Sequence, residues 1–369
     1  MRVGDDVVGL VERLVRVPSV TGREAAMGDL VADLLVELGA TVRRQEVAPG
    51  RSNVLGVLPG DGPTVLLGAH LDTVPDPTPS IAIHRSDGLL HGRGSCDCKG
   101  GMGAMFAAMA RLAGRPHRPT VLFVGTVDEE AGMLGSHAVL SELPELRGAV
   151  LSEPTGLVPV RANNGCVRVS LRVSGQAAHS SKSHLGVNAI TAAGRLVADL
   201  DAAGDEVRRR ISALTGAAQL TVTAIDGGVA HNVVPDRCNV VVDRRLVPGE
   251  DVDEVLDELD DVVRHRVAAG DDVARTEVLV RLAPAETDAT AWVVEAAVAA
   301  AGAVTGQAVE PIGVTFATDG CNLQAVGGVE TVVLGPGTIE VAHTDHEHVP
   351  ELECEQAVDV YEQLLLAAI

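Results

Sequence analysis

The stretch Thr64-Val65-Leu66-Leu67-Gly68-Ala69-His70-Leu71-Asp72 joins a short apolar run to a histidine and an aspartate. Short runs of this kind, bounded by Gly, Pro or Asp, are typical of buried strands. Three similar runs lie on either side of it in the chain, at Asn53–Val57, Thr120–Val124 and Ala149–Leu151. The Ala- and Met-rich run Gly100–Leu112 predicts a helix between two of these strands. Strands that are separated by helices favour a largely parallel sheet with helices on both faces.

Two helices are predicted before these strands. Apolar residues recur at helical spacing from Val7 to Val15, directly after the capping residues Asp5-Asp6. Thr21-Gly22-Arg23-Glu24 has the spacing of a capping box, so a second helix is predicted to begin there and to end near Gly39.

The pattern changes near residue 165, where Val167–Val173 alternates apolar and polar side chains. The elements predicted from there onward follow the order β-α-β-β-α-β, which is a ferredoxin-like pattern. Helix and strand signals alternate again from Pro284 onward. We therefore expect a discontinuous α/β domain with a mostly parallel sheet, residues 1–164 and 284–369. A smaller ferredoxin-like α+β domain, residues 165–283, is inserted into it.

Charge and composition exclude several classes of partner. The 369 residues include 29 Lys and Arg against 51 Asp and Glu, a formal net charge of −22. With no basic excess to neutralise phosphates, and only three Phe, one Tyr and one Trp for stacking, no nucleic-acid partner is expected. The acidity also disfavours docking on an anionic membrane surface.

The sequence indicates a cytoplasmic protein. No apolar run reaches the roughly 18–20 residues that span a bilayer, and Met1–Arg16 lacks the uninterrupted apolar core of a signal peptide. Six cysteines in a chain of this length do not form a disulfide framework, so small buried thiols are the simpler interpretation.

Ionisable residues gather just after predicted strands and in one Gly-rich loop before a helix. In open α/β sheets, ligands bind at the carboxyl ends of the strands. The positions are His70, Asp72, Asp97, Asp128, Glu129, Glu130, Glu153 and His343. For Asp128 alone, we expect the ordinary role of a helix cap or a solvated loop residue.

So many carboxylates at one sheet edge would repel one another, and a positive charge must offset them. With two histidines nearby, a pair of divalent metal ions is the natural solution. A mixed set of His and carboxylate ligands suits Zn²⁺, Co²⁺ or Mn²⁺. Cys96 and Cys98 flank Asp97, which leaves thiol coordination open beside the simpler interpretation that they pack.

These runs resemble the M20 family of metallopeptidases and amidohydrolases, and the resemblance covers nearly the whole chain in the family's order. The matching motifs are His70-Leu71-Asp72-Thr73-Val74-Pro75, Gly92–Gly101, Glu129-Glu130, Glu153-Pro154-Thr155 and Ala342-His343. The resemblance implies two divalent metal ions per chain, zinc before cobalt or manganese. In that scheme one site holds His70 and Glu153, the other Glu130 and His343, and Asp97 bridges the two.

The resemblance also implies roles for three residues that are not metal ligands. Glu129 is the general base, because a carboxylate beside an activated water can take its proton and pass it to the leaving amine. Asp72 orients His70 through the second ring nitrogen. His179, in the inserted domain, reaches across a dimer to stabilise the oxyanion in the partner's site.

The resemblance therefore implies a homodimer, formed through the inserted domain. The strands Val167–Val173 and Val273–Leu282 are expected to leave an exposed sheet edge that a second copy would cover. An Arg fork suits a substrate carboxylate, and Arg245 fits the family spacing better than Arg244. The residues implied to contact substrate are Asn232, Arg245, Thr318 and Gly337.

The expected reaction is hydrolysis of the amide of an N-acetyl or N-succinyl amino acid. Gly335–His343 most resembles acetylornithine deacetylase and its desuccinylase relatives. A dipeptidase or carboxypeptidase on small peptides is the alternative. Two rivals come from other classes: a binding protein that lost the chemistry, against which the intact Glu129 argues, and a nucleotide enzyme. Gly100–Gly103 suggests the latter, although no Gly-x-Gly-x-x-Gly is formed.

Overall fold

The computed structural model describes residues 6–77 and 80–369. The chain divides into two compact units. The first unit comprises Met1–Arg161, Glu286–Gly313 and Thr318–Ile369, and the second comprises Ala162–Ala285 and Val314–Ala317.

The helices of the described residues are α1 (Val7–Val15), α2 (Ala25–Glu37), α3 (Gly100–Ala113), α4 (Leu134–Val139), α5 (Ala189–Val207), α6 (Val252–Ala268), α7 (Trp292–Thr305), α8 (Gly320–Leu323) and α9 (Glu351–Leu366). The strands up to the middle of the chain are β1 (Thr41–Ala48), β2 (Arg51–Leu58), β3 (Gly62–His70), β4 (His84–Ser86), β5 (Leu89–His91), β6 (Pro119–Thr126), β7 (Gly148–Leu151), β8 (Val160–Asn163), β9 (Gly165–Ser174) and β10 (Ala178–His179). The later strands are β11 (Ile211–Ser212), β12 (Gly216–Ala217), β13 (Gln219–Gly227), β14 (Val233–Val234), β15 (Arg237–Leu246), β16 (Asp272–Leu282), β17 (Ala285–Glu286), β18 (Ile312–Val314), β19 (Thr331–Val333) and β20 (His348–Pro350).

A mixed sheet with the strand order β1-β2-β6-β3-β7-β19-β8-β17 forms the framework of the first unit. The neighbours β6, β3, β7 and β19 run parallel, and β1 and β2 add an antiparallel edge. The predicted α/β class with a mostly parallel central sheet is confirmed. In the described parts of the chain, no helix has the length and apolar character needed to cross a membrane.

Helix α3 packs unusually closely on the sheet because it begins with glycines. A Cβ atom on Gly101 would lie 1.7 Å from the Ser152 hydroxyl oxygen and 2.9 Å from its Cβ, so a larger side chain would force Ser152 to shift. This close approach places the start of α3 against the residue that precedes Glu153.

An antiparallel sheet with the order β13-β15-β9-β16 forms the second unit, and α5 and α6 pack on it around a separate apolar core. The elements β9, α5, β13, β15, α6 and β16 follow the β-α-β-β-α-β order. The sheet edge expected at Val273–Leu282 is observed in β16, but the one expected at Val167–Val173 is not. Val167–Val173 does not offer a free edge, because β9 pairs with β15 on one side and with β16 on the other. The edges of this sheet are β13 and β16.

The capping box predicted at Thr21–Glu24 is not formed. The Thr21 hydroxyl instead donates to Asp72 Oδ2 at 2.9 Å, and the Glu24 carboxylate pairs with Arg51. Helix α2 still begins at Ala25, without a side-chain cap. These two polar side chains therefore support the ends of strands rather than the end of a helix.

Candidate metal centre

Parallel strand ends bring the ionisable side chains together. Strand β3 ends at His70, β6 ends three residues before Glu129, and β7 ends two residues before Glu153. Because these strands are parallel neighbours, their carboxyl ends meet at one edge of the sheet. Asp97 lies in the irregular turn Ser95–Lys99 that leads into α3.

Two groups of three side chains are each arranged to hold a cation. His70, Asp97 and Glu153 form one group, and Asp97, Glu130 and His343 form the other; the ligand atoms of each group lie within 4.8 Å of one another. Asp97 belongs to both through different oxygens. Its Oδ1 lies 2.9 Å from His70 Nε2, and its Oδ2 lies 3.2 Å from His343 Nε2. A carboxylate that bridges two ions needs this division of its oxygens.

The electrostatics of the cluster show why a cation fits there. Burial, together with the nearby Asp97, raises the pKa of Glu153 well above its usual range. Burial opposes the charge of Asp97 as well, but hydrogen bonds with His343 and His70 hold its pKa below the ordinary value. Hydrogen bonds to Asp97 and Glu130 raise the pKa of His343 to about 10. Protons thus offset the negative charge here, and a metal ion binds such groups by replacing their protons.

The Asp72 carboxylate contacts the turn that carries Glu129 and Glu130, and it does not contact the ring of His70. His70 Nδ1 donates to the main-chain carbonyl of Asp72 at 2.9 Å, whereas the nearest Asp72 carboxylate oxygen is 3.8 Å away. The carboxylate instead accepts the main-chain N–H groups of Glu129 and Glu130, at 3.1 and 3.2 Å. The second ring nitrogen of His70 is therefore bound by the main-chain carbonyl of Asp72, and not by the carboxylate as expected. The Asp72 carboxylate positions the backbone of Glu129.

The expectation for Asp128 is wrong. Its side chain is buried and forms an ion pair of 2.7 Å with Arg51, and its backbone adopts a left-handed conformation with φ of 72°. In a solvated loop, water would stabilise the charge of the carboxylate. Because Asp128 is buried, the ion pair with Arg51 compensates its charge instead.

The cysteines beside Asp97 act as packing groups. All six cysteines of the chain are buried. Cys96 donates to the Thr338 carbonyl at 3.3 Å and Cys98 to the His70 carbonyl at 3.6 Å. Burial raises the pKa of Cys98 to about 12, so it stays a thiol at neutral pH. Neither cysteine belongs to the candidate ligand groups found among the described residues.

The sequence alone assigns no role to two buried carboxylates of the first unit, Asp319 and Glu347. Asp319 accepts a hydrogen bond of 2.6 Å from the Thr126 hydroxyl at the end of β6. Glu347 is fully buried and accepts the main-chain N–H groups of Cys96 and Asp97. In the sequence, only its position four residues after His343 points to a role of Glu347 near the site, because the surrounding run otherwise resembles a solvated loop.

Three of the remaining predicted site residues lie in the second unit. His179 is exposed, and its Nδ1 accepts the main-chain N–H of Ser181 at 3.2 Å. Asn232 is exposed. The Arg245 side chain is partly exposed and its Nε donates to Asp243 at 2.8 Å. Arg244 is buried and paired with Glu250, so its charge is already engaged.

The other two predicted substrate residues lie in the first unit. Thr318 is buried, and its hydroxyl accepts the main-chain N–H of Gly320 at 3.1 Å. Gly337 adopts a positive φ of 86°, and its N–H donates to Glu353 at 2.7 Å. That N–H is therefore engaged within the protein.

The two groups of His and carboxylate side chains at the carboxyl ends of the strands are typical of metal-binding hydrolases, and the comparison with known proteins agrees. Residues 66–367 match the model of peptidase family M20/M25/M40. The chain belongs to this family, and it is a hydrolase that acts on amide or peptide bonds. The family resemblance found in the motifs is confirmed.

Three individual proteins show what this chain is similar to. A probable carboxypeptidase of Aspergillus niger is 32% identical over 385 residues, covering 96% of this chain and 88% of that protein. The structure of an M20 family metallo-carboxypeptidase from Sulfolobus solfataricus superposes with a TM-score of 0.84 at 18% identity, covering 99% of both chains. A dinuclear metal-binding peptidase of the M20 family from Bacillus subtilis gives 0.73 at 17% identity, covering 98% of this chain and 96% of that chain. These two structures show that the fold is shared.

Proposed function

We propose that this protein is a two-metal peptidase that releases the C-terminal amino acid of small peptides. The observation that carries the proposal is the division of the Asp97 oxygens between His70 and His343. The relative named a probable carboxypeptidase supports a peptide substrate with a free carboxylate. The second candidate function is hydrolysis of an N-acetyl or N-succinyl amino acid, a substrate that also presents an amide and a carboxylate. The likeness of Gly335–His343 to deacetylases favours it.

The residues fit two divalent ions, with zinc expected before cobalt or manganese. His70, Asp97 and Glu153 would hold one ion, and Asp97, Glu130 and His343 the other. When bound, such a pair acidifies a water molecule and polarises the substrate carbonyl. Glu129, which is not a member of either ligand group, would take the proton of the attacking water on its carboxylate and deliver it to the leaving amine.

The surroundings of Glu129 suit this exchange of a proton. Burial and the neighbouring Glu153 raise its pKa well above the usual range for a glutamate. A raised pKa makes this carboxylate a stronger base toward the proton of an attacking water molecule. The two N–H groups held by Asp72 fix the backbone of Glu129 and Glu130, so that adjacent side chains can serve different tasks.

In this proposal, residues 1–164 and 284–369 form the catalytic domain, and residues 165–283 form a domain for dimerisation. The exposed edge strand β13 and the turn after it carry the apolar side chains of Ile225 and Val229, which are 53% and 83% exposed. A second copy that covers this edge would pair its free main-chain groups and bury these side chains.

Subunit mixing tests the role of His179 in a partner's site. Because Nδ1 of His179 accepts the Ser181 N–H, the ring proton lies on Nε2, which can donate to an oxyanion. His179→Ala and Glu129→Gln chains should each be nearly inactive. After subunit exchange, half of the dimers contain one complete site, so activity should rise to about a quarter of the wild-type value. The Glu129→Gln/His179→Ala double variant, mixed with either single variant, should show no recovery. Proven exchange without recovery contradicts action across the dimer.

Arg245 is proposed to bind the substrate carboxylate, together with Asn232. Arg245→Ala should lower kcat/KM on a dipeptide by about 10–100-fold, since a hydrogen bond to a charged group is worth roughly 1.5–3 kcal/mol. The loss should disappear on the same dipeptide with an amidated C-terminus. Arg237→Ala, which removes an exposed arginine from the same strand, is the matched control. An equal loss on both substrates shows that Arg245 does not recognise the carboxylate.

A substrate panel separates the two candidate functions. Dipeptides and N-acetyl, N-succinyl and N-formyl amino acids with the same C-terminal residue should be compared by kcat/KM. The carboxypeptidase proposal predicts that a dipeptide is the best substrate of the set. A preference for one N-acyl group supports the deacetylase alternative instead.

A further inference from the structure

A buried ion pair joins the loop that carries Asp97 to the loop that carries His343. The Glu347 carboxylate accepts the main-chain N–H groups of Cys96 and Asp97 at 3.1 and 3.2 Å on one oxygen. Its other oxygen pairs with Arg93 Nη1. Glu347 is fully buried and Arg93 is 9% exposed. A charge-assisted contact in such a place is strong and leaves little freedom to either partner.

Two further hydrogen bonds fasten the same pair of loops. Arg93 Nη2 donates to the Thr344 carbonyl at 3.1 Å, and the Gly92 N–H donates to the Glu347 carbonyl at 3.1 Å. The residues Gly92, Arg93 and Glu347 thus form a clamp that spans both loops. It contacts the backbone of Cys96, Asp97 and Thr344 rather than the side chains of Asp97 and His343.

His343 needs such support more than the other members of the cluster. Its backbone has a φ of 61°, which costs a residue with a side chain free energy of the order of 1 kcal/mol or more. Its side chain is 48% exposed, whereas those of His70, Asp97 and Glu153 are almost fully buried. Packing therefore fixes the His70 group, whereas the half-exposed His343 depends on the contacts of its loop, and the clamp joins that loop to the turn of Asp97.

We infer that Glu347 and Arg93 are positioning residues that assemble the Asp97–Glu130–His343 group and set its affinity for a metal ion. The inference rests on the proposed two-metal function. The clamp fixes the backbone of Asp97, which both groups share, but only the group of His343 also depends on it for the position of a second loop, so the group that contains His70 should be less sensitive to its loss.

Metal titration of stripped protein tests the inference without measuring catalysis. Wild-type chains freed of metal by a chelator should bind two Zn²⁺ ions in a calorimetric titration. E347Q removes the negative charge that Arg93 needs but keeps the shape. It should bind one ion with nearly unchanged affinity and the other about 10–100-fold more weakly. Adding His343→Ala to E347Q should cost little more, whereas adding His70→Ala should weaken the remaining site.

Glu351→Gln is the matched control, because it breaks an ion pair with Arg85 at 2.6 and 2.8 Å close to the same loop. It should leave both affinities unchanged. If E347Q does not fold, Arg93→Lys keeps the charge and loses the fork, and it should weaken the same single site. Equal weakening of both sites, or none, overturns the inference. A wild-type chain that binds fewer than two ions contradicts the proposed function instead.

Discussion

Replacing Glu129 with Gln should lower kcat by about 10²–10⁴-fold while the chain keeps its bound metal ions. The amide has nearly the same shape but cannot accept the proton of the attacking water. The structure places Glu129 outside both ligand groups, next to Glu130, with its backbone fixed by Asp72. Loss of activity with intact metal content would therefore separate the base from the ligands.

Metal analysis and steady-state kinetics on a good dipeptide substrate check this result. Glu145→Gln makes the same chemical change at an exposed glutamate and should leave kcat unchanged. If Glu129→Gln keeps more than half of the wild-type activity, the general base is another group. Loss of metal in this variant would mean that Glu129 is a ligand.

Asp97→Ala should abolish binding at both metal sites together, whereas His70→Ala and His343→Ala should each weaken mainly one. Asp97 is the only residue common to the two candidate groups in the described chain, and it offers a separate oxygen to each. Its removal leaves two incomplete sets and nothing between the ions to offset their repulsion. Loss of even a supporting residue typically costs 10–100-fold in metal affinity, so loss of the bridge should cost at least about that much.

Titration of the three stripped variants with Zn²⁺ measures this difference. Two ions bound by Asp97→Ala with affinities close to those of the wild type would rule out a bridge. One ion lost from each histidine variant, and both from Asp97→Ala, is the pattern that the geometry predicts.

The strands that position the site could be predicted because their sequences are short apolar runs. Runs such as Thr64–Leu67 and Ala149–Leu151 lie within observed parallel strands, and the ionisable residues after them meet at one edge. Strand β1 could not be predicted, since Thr41–Ala48 is polar and largely exposed at the edge of the sheet. It is a strand because its main chain pairs with β2, and the pattern of its side chains does not indicate this pairing.

The supporting contacts were harder to predict because they depend on residues distant in the chain. Local spacing pairs Asp72 with His70, two residues away, but its carboxylate accepts N–H groups more than fifty residues further on. Glu347 contacts the backbone of Asp97 across 250 residues. Local spacing indicates ligands at strand ends, whereas buried hydrogen bonds of this kind appear only once the loops are placed in three dimensions.

Hydrolysis by this protein should depend on two divalent ions held by the two groups that share Asp97. The most direct measurement is activity on a dipeptide as a function of bound metal, from chelator-stripped protein back to saturation with Zn²⁺ or Co²⁺. Stripped protein should show no turnover, and activity should become full as the metal content reaches two ions per chain. Full activity in protein that carries no metal would contradict this dependence.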